Sequence, residues 1–120
     1  MKNGQDKFLA DKIRVLEWME KYCKGVRCAR HRADILPFVQ LPDRYWRQII
    51  SDLVDEGIIY SSSTRGYWWA LLHTQDHYEI DAMKHAILER KAKALSMIEG
   101  CDKRLKEVMA NSQGQLEMSI

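Results

Sequence analysis

In DRYWRQIISDLVDEG, residues 43–57, side chains able to recognise flat polar partners recur at helical spacing. Arg44 and Arg47 carry forked guanidinium donors, Gln48 sets a donor beside an acceptor on one amide, and Tyr45 and Ser51 add hydroxyls. Such groups can bond to base edges, Arg to guanine and Gln to adenine, or hold a phosphate oxygen. A plain solvent-facing helix would use the same residue types, so the apolar residues between them have to be weighed. Trp46, Ile49, Ile50, Leu53 and Val54 follow the i, i+3, i+4, i+7, i+8 pattern of a helix with one buried side. At 100° per residue, burying that stripe turns Arg44, Gln48 and Ser51 outward, with Arg47 and Tyr45 at the margins. Asp52 and Asp55 would repel phosphate, but they fall toward the C-terminal end of the helix.

Two further groups could meet an anion. Ser63, Thr64 and Arg65 lie in YSSSTRGYWW, residues 60–69, where hydroxyl donors and a guanidinium would sit on a polar turn. Arg27, Arg30, His31 and Arg32 precede the second helix, and residues 21–47 carry seven Lys and Arg against Asp34 and Asp43. That excess fits either an anion-facing surface or a solvated charged face. Metal chemistry is a weaker reading. Cys23 with Cys28 and His73 with His77 form two ligand pairs, but their separation is far from that of a zinc finger. Cys23 fits a core stripe and Cys28 a short strand, so buried free thiols are expected. His77, Asp81 and His85 are spaced along one side of a helix, more in the manner of a solvated edge than of a ligand set. No phosphate loop, nucleophile elbow or compact acidic cluster occurs, so neither an enzyme nor a cofactor nor a small-molecule substrate is indicated.

The elements that must position these groups can be read in order. Leu9, Ile13, Leu16 and Met19, widened by Phe8, Val15 and Trp18, predict a first helix over residues 6–22. Gly25 ends it, and Val26–Ala29 reads as a short strand. Ile35, Leu36, Phe38 and Val39 predict a short second helix that Pro37 forces to start late or to bend. Leu41-Pro42-Asp43 supplies a break and a cap for the third helix, which Gly57 closes. Residues 58–60 and 67–71 then read as two strands of a hairpin around a Ser61–Arg65 tip. Alternation sets Tyr67, Trp69 and Leu71 on one face and Trp68, Ala70 and Leu72 on the other, so one tryptophan can enter the core. A two-stranded hairpin is marginal alone in water, and the helices must cover it.

Helix, short strand, helix, helix and hairpin is the order of a winged helix-turn-helix domain, here residues 6–73, with the hairpin as the wing. The fold class expected is mainly α with a small β-hairpin. DRYWRQIISDLVDEGIIYSSSTRGYW, residues 43–68, resembles winged-helix domains encoded by bacterial tailed phages and prophages. The likeness lies in the Asp-Arg opening of the third helix, its Ile-x-x-Leu-x-x-x-Gly ending and the Ser-rich wing closing on Gly-Tyr. It extends more loosely to the long basic helix that follows. Pro37 and the acidic group Asp52, Asp55 and Glu56 depart from the pattern. The resemblance implies a double-stranded DNA-binding protein acting in phage transcription or replication, with the third helix in the major groove and the wing on the backbone or minor groove. Arg44, Tyr45, Arg47, Gln48, Ser51, Ser63, Thr64, Arg65, Arg30 and Arg32 would be the contact residues. A protein-interaction adaptor on the same scaffold is the alternative.

Residues 74–110 predict one long helix, with a cap-like cluster at Thr74–Asp76 and a tail from Asn111 to Ile120. Its apolar seam includes Ile87, Ala94, Leu95, Ile98, Cys101 and Leu105, interrupted by Lys84 and Lys91. Pairing of two copies across that seam, in either orientation, would make a homodimer. Gly100 offers a place for the helix to break and fold back on its own subunit instead. The N-terminus lacks the apolar stretch of a signal peptide and no run approaches a membrane span, so a cytoplasmic protein without membrane contact is expected. Three cysteines are too few and odd for a disulfide framework, in keeping with a reducing compartment.

Overall fold

A computed structural model describes residues 4–118. Helix α1 spans Gly4–Tyr22, α2 Arg32–Val39, α3 Asp43–Asp55 and α4 His77–Met118; strands β1 (Ile59–Ser62) and β2 (Gly66–Trp69) lie between α3 and α4. The protein is therefore mainly helical, a winged helix-turn-helix followed by a long C-terminal helix. Residues through Ala86 form one compact unit, and α4 from Ile87 onward forms a second. No helix among the described residues is long and apolar enough to cross a membrane.

The first unit is organised by α3. Trp46, Ile49, Ile50 and Leu53 are all buried, as their spacing predicts. They meet Val15 and Met19 of α1, Ile35 and Val39 of α2, Ile59 of β1 and Cys23 in one core. The inward stripe of α1 differs from the expected one. Leu9 and Ile13 are exposed at 55% and 48%, because α1 buries the side carrying Val15 and Met19 and no further layer covers the other. In α2, Pro37 lies inside the helix, which begins at Arg32 and so does not start late. A three-residue turn with Gln40 in the left-handed region (φ 54°) then leads to α3. Asp43 is the first residue of α3 rather than its side-chain cap; Pro42 precedes it with no capping bond.

At the other end of α3, Ile58 N–H donates to Leu53 O and Gly57 N–H to Val54 O, a Schellman closure with Gly57 at φ 76°. The chain enters β1 directly. The antiparallel register pairs Ile59 with Trp69 and Ser62 with Gly66, and β2 ends at Trp69, two residues earlier than expected. Between α1 and α2, Val26–Cys28 is a single 3-10 turn and not a strand. Its flanks supply the pairing instead: Arg30 and Tyr67 exchange backbone bonds (3.0 and 2.8 Å), and Lys24 bridges to Trp69. Cys28, on that turn, is exposed rather than buried.

Strand alternation assigns the two tryptophans different neighbours. Tyr67 and Trp69 pack on the α1–α3 core, Tyr67 edge-on to Trp46 at 5.1 Å. Trp68 faces the other way and is buried with Val26, Ala82 and Ala86, the last two on the first turns of α4. Asp76 caps α4 by accepting from Tyr78 N–H at 3.0 Å. The carboxylate of Glu79 is buried and accepts from Val26 N–H at 2.6 Å, which pins this start of α4 to the 3-10 turn.

The helix runs unbroken through Gly100 and past Ala110, so the break and the tail from Asn111 expected from the sequence are replaced by helix as far as Met118. The last two residues of that expected tail lie outside the described residues. From Ile87 to Gln113 every side chain except that of Glu89 is exposed.

Candidate nucleic-acid interface

With its apolar stripe buried, α3 turns Arg44, Arg47, Gln48 and Ser51 to solvent, where together with Asp52 they line one open groove. Arg47 and Arg32 share a partner. Asp43 Oδ2 stands 3.2 Å from Arg47 Nε and 3.4 Å from Arg32 Nη1, so α2 and α3 are joined at their N-terminal ends by a carboxylate between two guanidiniums. The pair Asp43–Arg47 has i, i+4 spacing within α3, whereas the link to Arg32 joins two helices. Two cations against one carboxylate leave an excess of positive charge beside the groove. Arg44 adds another guanidinium.

Two acidic residues toward the C-terminal end of α3, Asp52 in the groove and Glu56 beyond it, are compensated from α1. Lys12 of α1 pairs with Glu56 and lies 3.8 Å from Asp52. Repulsion of an anion by Asp52 is reduced accordingly, although its carboxylate remains half exposed.

Several predicted contact residues point elsewhere. Tyr45 turns toward α1: its hydroxyl donates to Asp11 at 2.9 Å and its ring meets Phe8 edge-on at 6.0 Å. Loss of solvent and the Asp11 carboxylate push its phenol above the ordinary value. The margin position that the 100° rule gives Tyr45 was real, but α1 occupies that margin. Arg30 lies over the Trp18 ring at 5.7 Å and lines a separate depression with Ala33, Asp34, Pro37 and Phe38. Its main chain is committed to β2.

At the wing, Ser63 and Thr64 are exposed on a three-residue turn. Arg65 does not project from the tip. Its backbone N–H donates to Ser62 Oγ (3.0 Å) and its guanidinium lies 5.4 Å from the Tyr78 ring centre, with Arg27 at 4.6 Å from the same ring. Arg27 is also fixed by Asp76, at 3.2 Å. Tyr78 thus gathers two guanidiniums beside the wing, a grouping that sequence reasoning missed because the residues come from three distant segments.

Tyr67 links the wing to the α3 groove. Burial raises its phenol pKa, Arg32 opposes the rise and Asp43 adds to it; its ring lies edge-on to Trp46 of α3, one residue pair in from the turn of the wing. The geometry gives a groove with forked donors and one amide, a cationic cluster at its N-terminal end, and exposed hydroxyls on the wing turn. That set suits a polyanion with flat polar edges.

Among the described residues, no group of three or more His, Cys, Asp and Glu is placed to hold a metal ion. No protein-family model, curated protein or solved structure matches this chain.

Proposed function

We propose that this protein binds double-stranded DNA with sequence preference, as a homodimer, and acts in the control of transcription or replication of a phage or prophage. The observation that carries the reading is the exposed row Arg44, Arg47, Gln48 and Ser51 on a helix whose opposite side is wholly core. With α3 in the major groove, Arg44 and Gln48 read base edges, while Arg47 and Arg32 hold flanking phosphates. Ser63 and Thr64 donate to phosphate from the wing, and Arg65 adds charge from its flank. The phage setting rests on the resemblance of residues 43–68, and the homodimer on the exposed seam of α4. No cofactor is required.

Replacing Arg44 and Arg47 together by Ala tests this. Both side chains are exposed, so the circular dichroism spectrum stays as in the parent, while retention of duplex DNA in gel shift is lost and the salt dependence of residual binding becomes shallower. Undiminished binding by the double variant would remove α3 from the interface. Selection of bound duplexes from a random pool then reports the target, with a palindrome expected.

One observation favours a second reading, a protein-binding adaptor. Phe38 is 61% exposed and stacks on Trp18 at 5.7 Å, with Tyr22 alongside, forming an aromatic surface away from the α3 groove. In that case Phe38→Ala, and not the arginine pair, abolishes partner capture.

A further inference from the structure

From Ile87 onward α4 repeats every seven residues. Ile87, Ala94, Cys101 and Val108 occupy one position of the repeat, and Lys91, Ile98 and Leu105 the position four residues on. The large members are half or more exposed: Ile87 54%, Ile98 57%, Leu105 56% and Val108 51%. In proteins a helix draws most of its stability from packing its apolar face, and Gly100 weakens this one in its interior, so this seam calls for a partner.

We infer that the partner is a second copy of the same chain, aligned parallel and in register as a two-stranded coiled coil. The inference rests on the dimeric part of the reading above and adds the orientation. In register, Ile87, Ala94, Ile98, Cys101, Leu105 and Val108 each meet their own copy, giving six apolar layers and one charged layer at Lys91. Antiparallel registers keep fewer. Those that place Ile98 opposite Ala94, Cys101 or Val108 of the second copy each retain four apolar layers, because the remaining seam residues are carried against Lys84, Lys91, Ser112 or the chain beyond.

The flanking charges discriminate against two of those three registers; the middle one, Ile98 opposite Cys101, is disfavoured by its apolar layers alone. In parallel, Arg90 lies beside Leu95 of the second copy, Met97 beside Asp102 and Arg104 beside Met109, so no like charges meet. Of the antiparallel registers, the first sets Arg90 against Arg104, and the last sets Arg104 against Arg104 and Asp102 against Asp102. The cost of the parallel arrangement is the Lys91 pair, joined by a Lys84 pair one turn before Ile87. Long ammonium stems can bend outward to water while their methylenes cover the seam, and one polar layer fixes register and strand number. Two added apolar layers outweigh it.

The test is site-directed cross-linking of the full chain. In a Cys28→Ser, Cys101→Ser background, Ile87→Cys and Val108→Cys are made separately and oxidised under mild conditions. Each variant changes a layer at one end of the seam, and circular dichroism with light scattering establishes before oxidation that helix and dimer persist. Parallel in-register pairing predicts a disulfide-linked dimer from each variant. In the antiparallel registers each residue lies about 15 Å or more along the axis from its copy, out of disulfide reach. A dimer by light scattering that links at neither position, or at only one, overturns the parallel in-register arrangement. A monomer overturns pairing altogether, and gel shift on that same monomer shows separately whether the DNA reading survives.

Discussion

Gly66 and Gly57 make a matched pair for testing how the wing is held. Both have left-handed backbones, φ 91° and φ 76°. A Cβ on Gly57 would meet nothing within 4 Å, so Gly57→Ala costs only the left-handed conformation of a residue with a side chain, about 1–2 kcal/mol. A Cβ on Gly66 would lie 2.4 Å from the carbonyl oxygen of Arg30 and 2.8 Å from His31 N, against backbone that has no flexible end to swing away. Ordinary contact needs about 1 Å more. That displacement would pull apart the two bonds joining Arg30 to Tyr67, now 3.0 and 2.8 Å, each worth about 0.5–1.5 kcal/mol net. Gly66→Ala should therefore lose roughly 2–5 kcal/mol in all, about 1–3 kcal/mol more than Gly57→Ala. Urea unfolding followed by tryptophan fluorescence measures both, since Trp46 and Trp68 are fully buried. Equal losses for the two variants would refute the claim that the Arg30 main chain holds the wing through its two bonds to Tyr67.

Three other substitutions or titrations probe separate parts of the molecule. Glu79→Ala leaves Val26 N–H buried without its acceptor and should cost about 1–3 kcal/mol, whereas Glu79→Gln keeps an acceptor and should cost less; urea midpoints distinguish them. Asp43→Asn releases Arg32 and Arg47 from their shared carboxylate, so heparin elution should move to higher salt, with a small stability loss of about 0.3–1 kcal/mol from the first turn of α3. Burial pushes the Cys23 thiol up from 9.0 to about 11, with Arg30 opposing and Cys28 adding to the rise. The folded state then holds this proton more tightly than the unfolded state, so its contribution is intact below pH 9 and is lost as pH rises toward 11. A thiol reagent at pH 8 should modify exposed Cys28 quickly and Cys23 only on unfolding.

What this sequence determined alone is what depends on near neighbours. The spacing from Trp46 to Leu53 specified which side of α3 is buried, because a helical period leaves a stripe of that width one place to go, and Arg44 and Gln48 followed outward. Gly57 and Gly66 specified where helix gives way to hairpin and where the hairpin turns, through φ values that few other residues adopt. Tertiary structure decided everything that required a partner from far along the chain. Alternation placed Trp68 and Trp69 on opposite faces, but only the arrival of Ala82 and Ala86 made the Trp68 face a second core. Tyr45, Arg30 and Arg65 were suitable in chemistry for an anion, yet Asp11, Trp18 and Tyr78 claimed them. Lys12 reaches across to Glu56, and Glu79 reaches back to Val26. Such pairings join charges and donors that local periodicity treats as independent, because the energy of a contact depends on distance in space while a sequence records only distance along the backbone.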